Sequence, residues 1–494
     1  MSAMLECDVL IVGAGPTGVT LGLLLAQSDV RTIVIDKAAE IYPHPRAAHV
    51  DHEIMRVFQS LRLADAIAAT CRTSERYDFL TAGGEVLMRF EGLGRIGPGG
   101  WPVGNMIHQP SLEAVLRSGG HDVPSFDLMT GCRFVSYEAR AEGVDTLVAS
   151  ADGDVTVRSR YLIGADGARS PVREAAGIDL DDLQFDEEWL VIDALVHDYE
   201  RLPKINLQIC DPARPTTCVL MGCGRHRWEF MLKPGETAEQ MLDDAFIAEL
   251  MAPWNVDGAV TLERKVVYRF NARVARDWKK GRVLLAGDAA HLTPPFAGQG
   301  LCAGIRDAAN LSWKLAAVIG GSASDTLLET YQTERDPHAR AYIQLAMMMG
   351  RTVCIADPHA AAARDVQMLA ARAGGAPSPG LASPPIGEGC VLKASSHAGE
   401  YFPQPVPTKE GSARLDDVLG PGAWLISRGA AATVRFPGLR QVSLDDPELS
   451  AFSAALDHWL TGHGAGAVLV RPDRYIFGVG DADELGHAWR EQLR

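Results

Sequence analysis

Short apolar runs that end in glycine mark both ends of the first 320 or so residues. Residues 8–13, DVLIVG, form such a run and predict a strand buried on both faces. Residues 16–27 then read as a helix, with Pro16 tolerated in its first turn. Residues 31–36, RTIVID, predict a second strand and complete one βαβ unit. Residues 282–287, RVLLAG, repeat the buried-strand pattern, and a long helix is expected from about 299 to 319. Between these parts the texture changes. From about 185 to 270, EWLVIDALVHD, INLQIC, TTCVLMGCG, RWEFMLKPGE and RKVVYRF are strand-like and separated by turn residues, which predicts an inserted antiparallel sheet. Residues 373–389, AGGAPSPGLASPPIGEG, have a linker composition. Beyond them, 390–494 alternates short strands and helices, enough for a small α/β domain.

Composition narrows the class. A chain of 494 residues is too long for one core, so two or three domains are expected. The net charge of −16 disfavours nucleic acid and anionic membrane as partners, because phosphates call for Lys and Arg. No apolar run approaches the roughly 18–20 residues of a membrane span. The amino terminus, MSAMLECDVLIVGAG, reads as a strand rather than a secretory leader. Nine scattered cysteines without a CxxC pair suit reduced thiols in a cytoplasmic setting.

Three glycine-bearing turns carry the chemistry. Gly13, Gly15 and Gly18 form GxGxxG between the first strand and helix. There they permit a tight turn, a close diphosphate and close helix packing, while the helix amino terminus attracts negative charge. Asp36 ends the second strand, where an acid accepts ribose hydroxyls. In HPRAAHVDHEIMRVF, Arg46 suits a diphosphate or a bound carboxylate. His44, His49 and His52 raise a metal reading, but no partner ligands complete a pattern. A plain surface loop also fits these residues. YLIGADGARSPVRE places Asp166-Gly167 after a strand, and as a bare string it is also a helix start. In GDAAHLTPPFAGQGLCAG, Asp288 follows a buried strand, and Gly298 and Gly300 lead into a helix. Two ligands, Asp288 and His291, are too few for a metal, and no G-x-S-x-G elbow exists for a nucleophile.

The ordered trio at Gly13–Gly18, Asp166–Gly167 and Gly287–Asp288 resembles the aromatic-hydroxylating flavoprotein monooxygenases of the para-hydroxybenzoate hydroxylase fold. GDAAHLTPPFAGQGLCAGIRDAANLSWKLA, CDPARPTT, RWEFMLKPGE and IHQPSLEAVL are similar to the 3-(3-hydroxyphenyl)propionate hydroxylase branch. Cys302, where many relatives carry Asn, points the same way. The tail resembles the thioredoxin-like domain of phenol hydroxylase-type members. It has no cysteine after Cys390, which leaves a structural or dimer-forming role rather than a redox one.

The resemblance implies an α/β fold with a Rossmann-like FAD-binding domain (1–184 and 271–372). It adds an inserted antiparallel sheet domain for substrate (185–270), a linker (373–389) and a thioredoxin-like carboxy-terminal domain (390–494). It implies FAD as cofactor, with NADH or NADPH as a transient co-substrate and O2. The implied reaction is hydroxylation of a phenol ortho to its hydroxyl through a flavin C4a-hydroperoxide. A 3-(3-hydroxyphenyl)propionate-like substrate is favoured. The alternative is a tailoring or Baeyer–Villiger monooxygenase acting on a bulkier natural-product aromatic. Carried onto this chain, Gly13, Gly15 and Gly18 hold the diphosphate and Asp36 the ribose, with Pro16, Thr17 and Lys37 in the same site. Arg46 and Gln109 brace the diphosphate–ribityl region, Asp288 holds the ribityl chain, and Asp166 stands behind them, positioning Arg46 or the nicotinamide cofactor. Pro295, Gly298, Gly300 and Leu301 border the ring. His49 and Asp51 are the candidate catalytic bases for the phenol. The partners implied are a small phenolic substrate and a second copy of the chain in a homodimer.

Overall fold

The computed structural model describes residues 3–376, 383–407, 413–429, 432–433 and 435–494. Part of the expected linker, 377–382, lies outside the described residues. Four sheets organise the described residues, the smallest pairing strands His49–Asp51 and Arg72–Thr73 with Gly104–Met106, and the first positions the glycine turns.

Its parallel core has the spatial order Val283–Leu285, Gly153–Gly164, Ala3–Val12, Thr32–Asp36, Phe126–Thr130. Val9, Leu10 and Ile11 are fully buried, as their unbroken apolar run requires when both sheet faces are covered. Helix Pro16–Ala26 packs against helix Gly300–Ile319 on this sheet. Register puts Val12 beside Ile35 on one side and Gly164 on the other, with Gly164 beside Leu285. The three glycine turns and Asp36 therefore leave neighbouring strands at the same carboxyl edge, the edge where open α/β sheets bind ligands.

The second sheet has eight strands, ordered His291–Leu292, Val260–Ala275, Leu180–Val196, Arg225–Met231, Thr216–Met221, Asn206–Ile209, Arg76–Leu80, Val86–Glu91. It is wider than the insert expected over 185–270. Residues 185 and 270 fall inside two long paired strands, and Arg76–Leu80 and Val86–Glu91 join from upstream. One face buries Leu190, Ile192, Trp228 and Phe230 in a separate apolar core with Met241 and Ile247. The alternating positions, Trp189 and Met231 among them, face the main core.

The carboxy-terminal sheet runs Leu439–Ser443, Ala423–Ser427, Ala467–Val470, Ile476–Gly480, with the first pair parallel and the other pairs antiparallel. Helices Ser453–Gly462 and Ala482–Gln492 accompany it. Buried ion pairs tie this part to the rest. Glu334 receives Lys314 and Arg471, each at 2.7 Å, and Asp416 receives Arg56 and Arg474, each at 2.7 Å. Among the described residues, no helix is long and apolar enough to cross a membrane.

Candidate functional site

The glycine loop divides its duties. Gly13 has φ +107°, and a Cβ there would overlap the Ala165 carbonyl. A Cβ on Gly18 would overlap the Gly13 carbonyl oxygen. These two glycines serve the tight turn and the helix–strand contact. Gly15 differs, since a Cβ there meets no protein atom within 4 Å. It caps helix Pro16–Ala26 without a side-chain bond, so the first amides of that helix face the same space. That combination suits a diphosphate.

Polar groups surround this cradle. Asp36 accepts from the Ala14 amide and from the Ala38 amide, both at 2.8 Å, and so fixes the loop while keeping further acceptor capacity. Lys37 is exposed at the strand end beside it. Arg117 donates to the Ala14 carbonyl at 2.9 Å, and its buried Nε has no protein partner. The Asp166 carboxylate caps Val172 through Oδ2, its buried Oδ1 has no protein partner, and burial raises its pKa. Asp288 is exposed at its turn, and the protein atoms around it raise its pKa. Acceptors for hydroxyls and a cation beside a glycine cradle match the donor set that a flavin dinucleotide requires.

The Asp288 turn is held from behind. Asp307 Oδ2 accepts from the Gly287 amide at 2.9 Å and pairs with His291 Nε2 at 2.7 Å, while Oδ1 accepts from Arg335. His291 thus joins Asp307 rather than forming a metal pair with Asp288. Thr17 is packed between Gly287 and Gly304, where a Cβ on Gly287 would lie 2.9 Å from its hydroxyl oxygen. Its side chain joins the two helices instead of lining the cradle.

The loop carrying Arg46 is anchored through its backbone. Gln109 Oε1 accepts from the Arg46 and Ala47 amides at 3.0 and 2.8 Å. Arg227 donates to the Pro45 and Arg46 carbonyls, and Arg264 donates to Pro45. The Arg46 side chain itself stays exposed. Gln109 therefore acts on the loop that presents Arg46.

Pro295–Ala297 form a short turn ending at Gly298, which has φ +64°. The helix beginning at Gly300 has no side-chain cap, so its free amides face this loop, with Leu301 half-buried beside them. Phe296 packs edge-on against Trp189, Phe185 and Phe270 of the second sheet, joining the loop to that sheet's inner face. His49 Nδ1 lies 3.2 Å from the Gly298 carbonyl and must donate there, which leaves Nε2 as the acceptor. Burial lowers the His49 pKa, so the ring is neutral near pH 7.

Asp51 departs from the expected role of base. Its Oδ1 caps helix His52–Ser60, and its Oδ2 takes Arg306 at 2.5 Å. Burial alone would raise its pKa. Arg306, then His52 and His49, outweigh that and hold it well below the usual carboxylate range. A carboxylate held this way orients its strand and is too weak a base to take a phenol proton. His52 Nδ1 accepts from the Gly99 amide, so it and His49 serve separate loops.

Sequence reasoning did not single out Arg117, Asp307, Tyr77, Gln208 or Glu229. The last three share the inner face of the second sheet. Strand alternation in RWEFM carried a usable signal, since Trp228 and Phe230 face outward and Glu229 must therefore face in.

Comparisons with known proteins agree with this geometry. A family model described as FAD binding domain matches residues 6–346. The probable NADH-specific resorcinol 4-hydroxylase of Rhodococcus jostii (strain RHA1) is 35% identical, over 98% of this chain and 94% of its own. A 3-(3-hydroxy-phenyl)propionate/3-hydroxycinnamic acid hydroxylase of Mycolicibacterium smegmatis is 36% identical, over 96% and 90%. Among solved structures, the flavin-dependent monooxygenase PieE in complex with FAD and substrate superposes with a TM-score of 0.81, at 22% identity and 99% coverage of both chains. Aklavinone-11 hydroxylase with FAD and aklavinone gives 0.80, at 24% identity and 99% coverage of both chains. At these identities the two structures speak for the fold.

Proposed function

The chain belongs to the FAD-binding domain family, and from that premise we propose that it is a flavin-dependent, NAD(P)H-consuming monooxygenase that hydroxylates a phenolic ring beside its existing hydroxyl. One observation carries this reading. The turns at Gly13, Asp166 and Asp288 leave neighbouring parallel strands, and the last turn leads into a loop seated on the inner face of a second sheet. These three turns would hold a flavin dinucleotide beside that face. The relatives named for resorcinol and for hydroxyphenylpropionate support a phenol as substrate. The polyketide-type alternative draws only on likeness of fold.

Bound FAD supplies the electron relay from NAD(P)H to O2. The chain does the rest. Gly13, Gly15 and Gly18 admit the diphosphate, and the Pro16–Ala26 helix amides and Arg117 bind it. Asp36 takes the adenosine ribose, with Lys37 at the rim. Arg46, presented by Gln109, would brace the diphosphate–ribityl region, and Asp166 and Asp288 would accept hydroxyl hydrogen bonds. Pro295, Gly298 and Leu301 would border the ring, and the amides from Gly300 onward would stabilise negative charge on it. His49, neutral with an accepting Nε2, is retained as a candidate base. Asp51 is retained as the residue that orients the His49 strand.

In the carboxy-terminal part, the strand order and the parallel first pair support a thioredoxin-like reading with a structural role. The deciding experiment uses the purified protein. It should be yellow, and NADH or NADPH oxidation should quicken when a phenol is added, with a product 16 mass units heavier, roughly one oxygen atom, as monooxygenation demands. A colourless protein that cannot be loaded with FAD overturns the proposal.

A further inference from the structure

Glu229 sits in the middle of the sheet face that meets the Pro295–Gly298 loop. It pairs across strands with Val191 on one side and Thr217 on the other, and Thr217 pairs in turn with Gln208. Residues directly opposite in such pairs share a face. Thr217 Oγ1 donates to Gln208 Oε1 at 2.7 Å, and the Gln208 amide donates to the Tyr77 hydroxyl. Tyr77 donates to the Phe296 carbonyl at 3.3 Å. A polar row therefore runs from Glu229 to the loop that borders the flavin ring.

Glu229 is 6% exposed. Its nearest charge is Arg227 Nη1 at 3.7 Å, and among the described residues it has no hydrogen bond. Its carboxylate oxygens have no protein hydrogen-bond partner yet still reach open space, so an arriving O–H meets an unpaired acceptor. The arginines of this face already have other partners. Arg225 pairs with Glu263. Arg227 is held by Asp193 and the loop carbonyls, and Arg264 by Asp193, Pro45 and Tyr268. A substrate carboxylate would find no unpaired arginine among these three and would meet a second buried acid.

We propose that Glu229 is the subsite for the phenol hydroxyl and its proton acceptor, and that the substrate is an uncharged hydroxylated benzene of the resorcinol kind rather than a phenol bearing a carboxylate. This rests on the flavin monooxygenase reading above. The substrate O–H bond breaks, and its proton forms an O–H bond with the Glu229 carboxylate. The electron pair stays on the substrate oxygen and raises electron density at the ortho carbon. The proton returns to that oxygen before the product leaves. Burial pushes the Glu229 pKa up to about 7, with Arg227 opposing and Asp193 adding to the rise. An acceptor that ionises near working pH is well matched to this transfer. The charged and titratable groups facing it are Arg227 on its own strand, Asp193 from the Leu180–Val196 strand and Tyr77 from the Arg76–Leu80 strand. Val191 and Thr217, its direct neighbours, do not titrate.

The test compares FAD-loaded wild type and Glu229→Gln with resorcinol and with 3-(3-hydroxyphenyl)propionate, from pH 6 to 8.5. In the wild type, kcat/KM for coupled hydroxylation should favour resorcinol by at least about tenfold and rise through pH 7. In Glu229→Gln the resorcinol value should fall about hundredfold and its pH rise should vanish, consistent with loss of a general base. Flavin content and melting temperature report whether the variant folds. If it does not, Glu229→Asp serves, and it should keep the pH rise at a reduced rate. Preference for the carboxylated phenol, or an unchanged pH profile in Glu229→Gln, overturns the proposal while leaving the monooxygenase reading intact. No response to any phenol overturns both.

Discussion

Gly18 lies so close to Gly13 that a Cβ at position 18 would overlap the Gly13 carbonyl oxygen, whereas Gly15, between them, has no protein atom in front of it. Glycines of one motif are therefore required for different reasons. Gly15→Ala should fold with near wild-type stability yet lose most of its FAD, because only the ligand contests that space. Gly18→Ala should lose stability by about 1–3 kcal/mol, the usual range for overpacking. Thermal melts and flavin absorbance of the two proteins, measured side by side, separate these effects. A Gly15→Ala protein that retains full flavin would remove the diphosphate from this loop.

His49 reaches the Pro295–Gly298 loop through the Gly298 carbonyl. His49→Ala should lower the hydroxylation rate about tenfold or more, while flavin reduction by NADH in the presence of phenol persists. Rapid-mixing kinetics of the two half-reactions resolve this. An unchanged hydroxylation rate would take His49 out of the mechanism.

Glu229 carries a stability signature as well as a catalytic one. Its folded pKa of about 7 lies above the ordinary value of 4.5. The native carboxyl thus holds its proton more tightly than the unfolded one. The stabilisation from that is complete below the unfolded value and is lost as pH rises through about 7. Gln does not titrate. Glu229→Gln should therefore gain stability relative to wild type between pH 5 and pH 8, by up to about 3 kcal/mol. Urea denaturation at the two pH values measures it, and a pH-independent difference would show that Glu229 ionises normally.

Glu334 stands at the join between the flavin-binding part and the carboxy-terminal sheet, with Lys314, Arg471, Asn310 and the Cys390 amide on its carboxylate. These partners hold its pKa well below the usual range despite burial. Glu334→Gln leaves the buried Lys314 without a counter-charge and Arg471 with Asp473 alone, and should cost about 3–5 kcal/mol. Replacing Lys314, Glu334, Arg471 and Asp473 together with apolar residues should cost less than Glu334→Gln alone, since apolar replacement of the whole charge cluster removes the desolvation penalty. Equal losses for the two proteins would contradict this account.

The sequence by itself determined the βαβ start, the buried strand at 282–287, the helix from 299 to 319 and the three glycine turns. Each is set by local causes: an unbroken apolar run, a tight turn, a helix start. Their order along the chain sufficed for the family resemblance. Tertiary structure decided which residue does what once the turns met. Thr17 reads as part of the cradle but is taken up by Gly287 and Gly304, and Asp51 reads as a base but is claimed by Arg306, 255 residues away. The Arg76–Leu80 strand, far upstream, brings Tyr77 into the inner sheet face. Glu229 shows the division most clearly. Strand alternation placed it on the inner face, yet only the packing of that face left its carboxylate without a protein hydrogen bond. A side chain's direction is a short-range property of the strand, whereas the partners it meets come from register and packing between segments far apart in the chain.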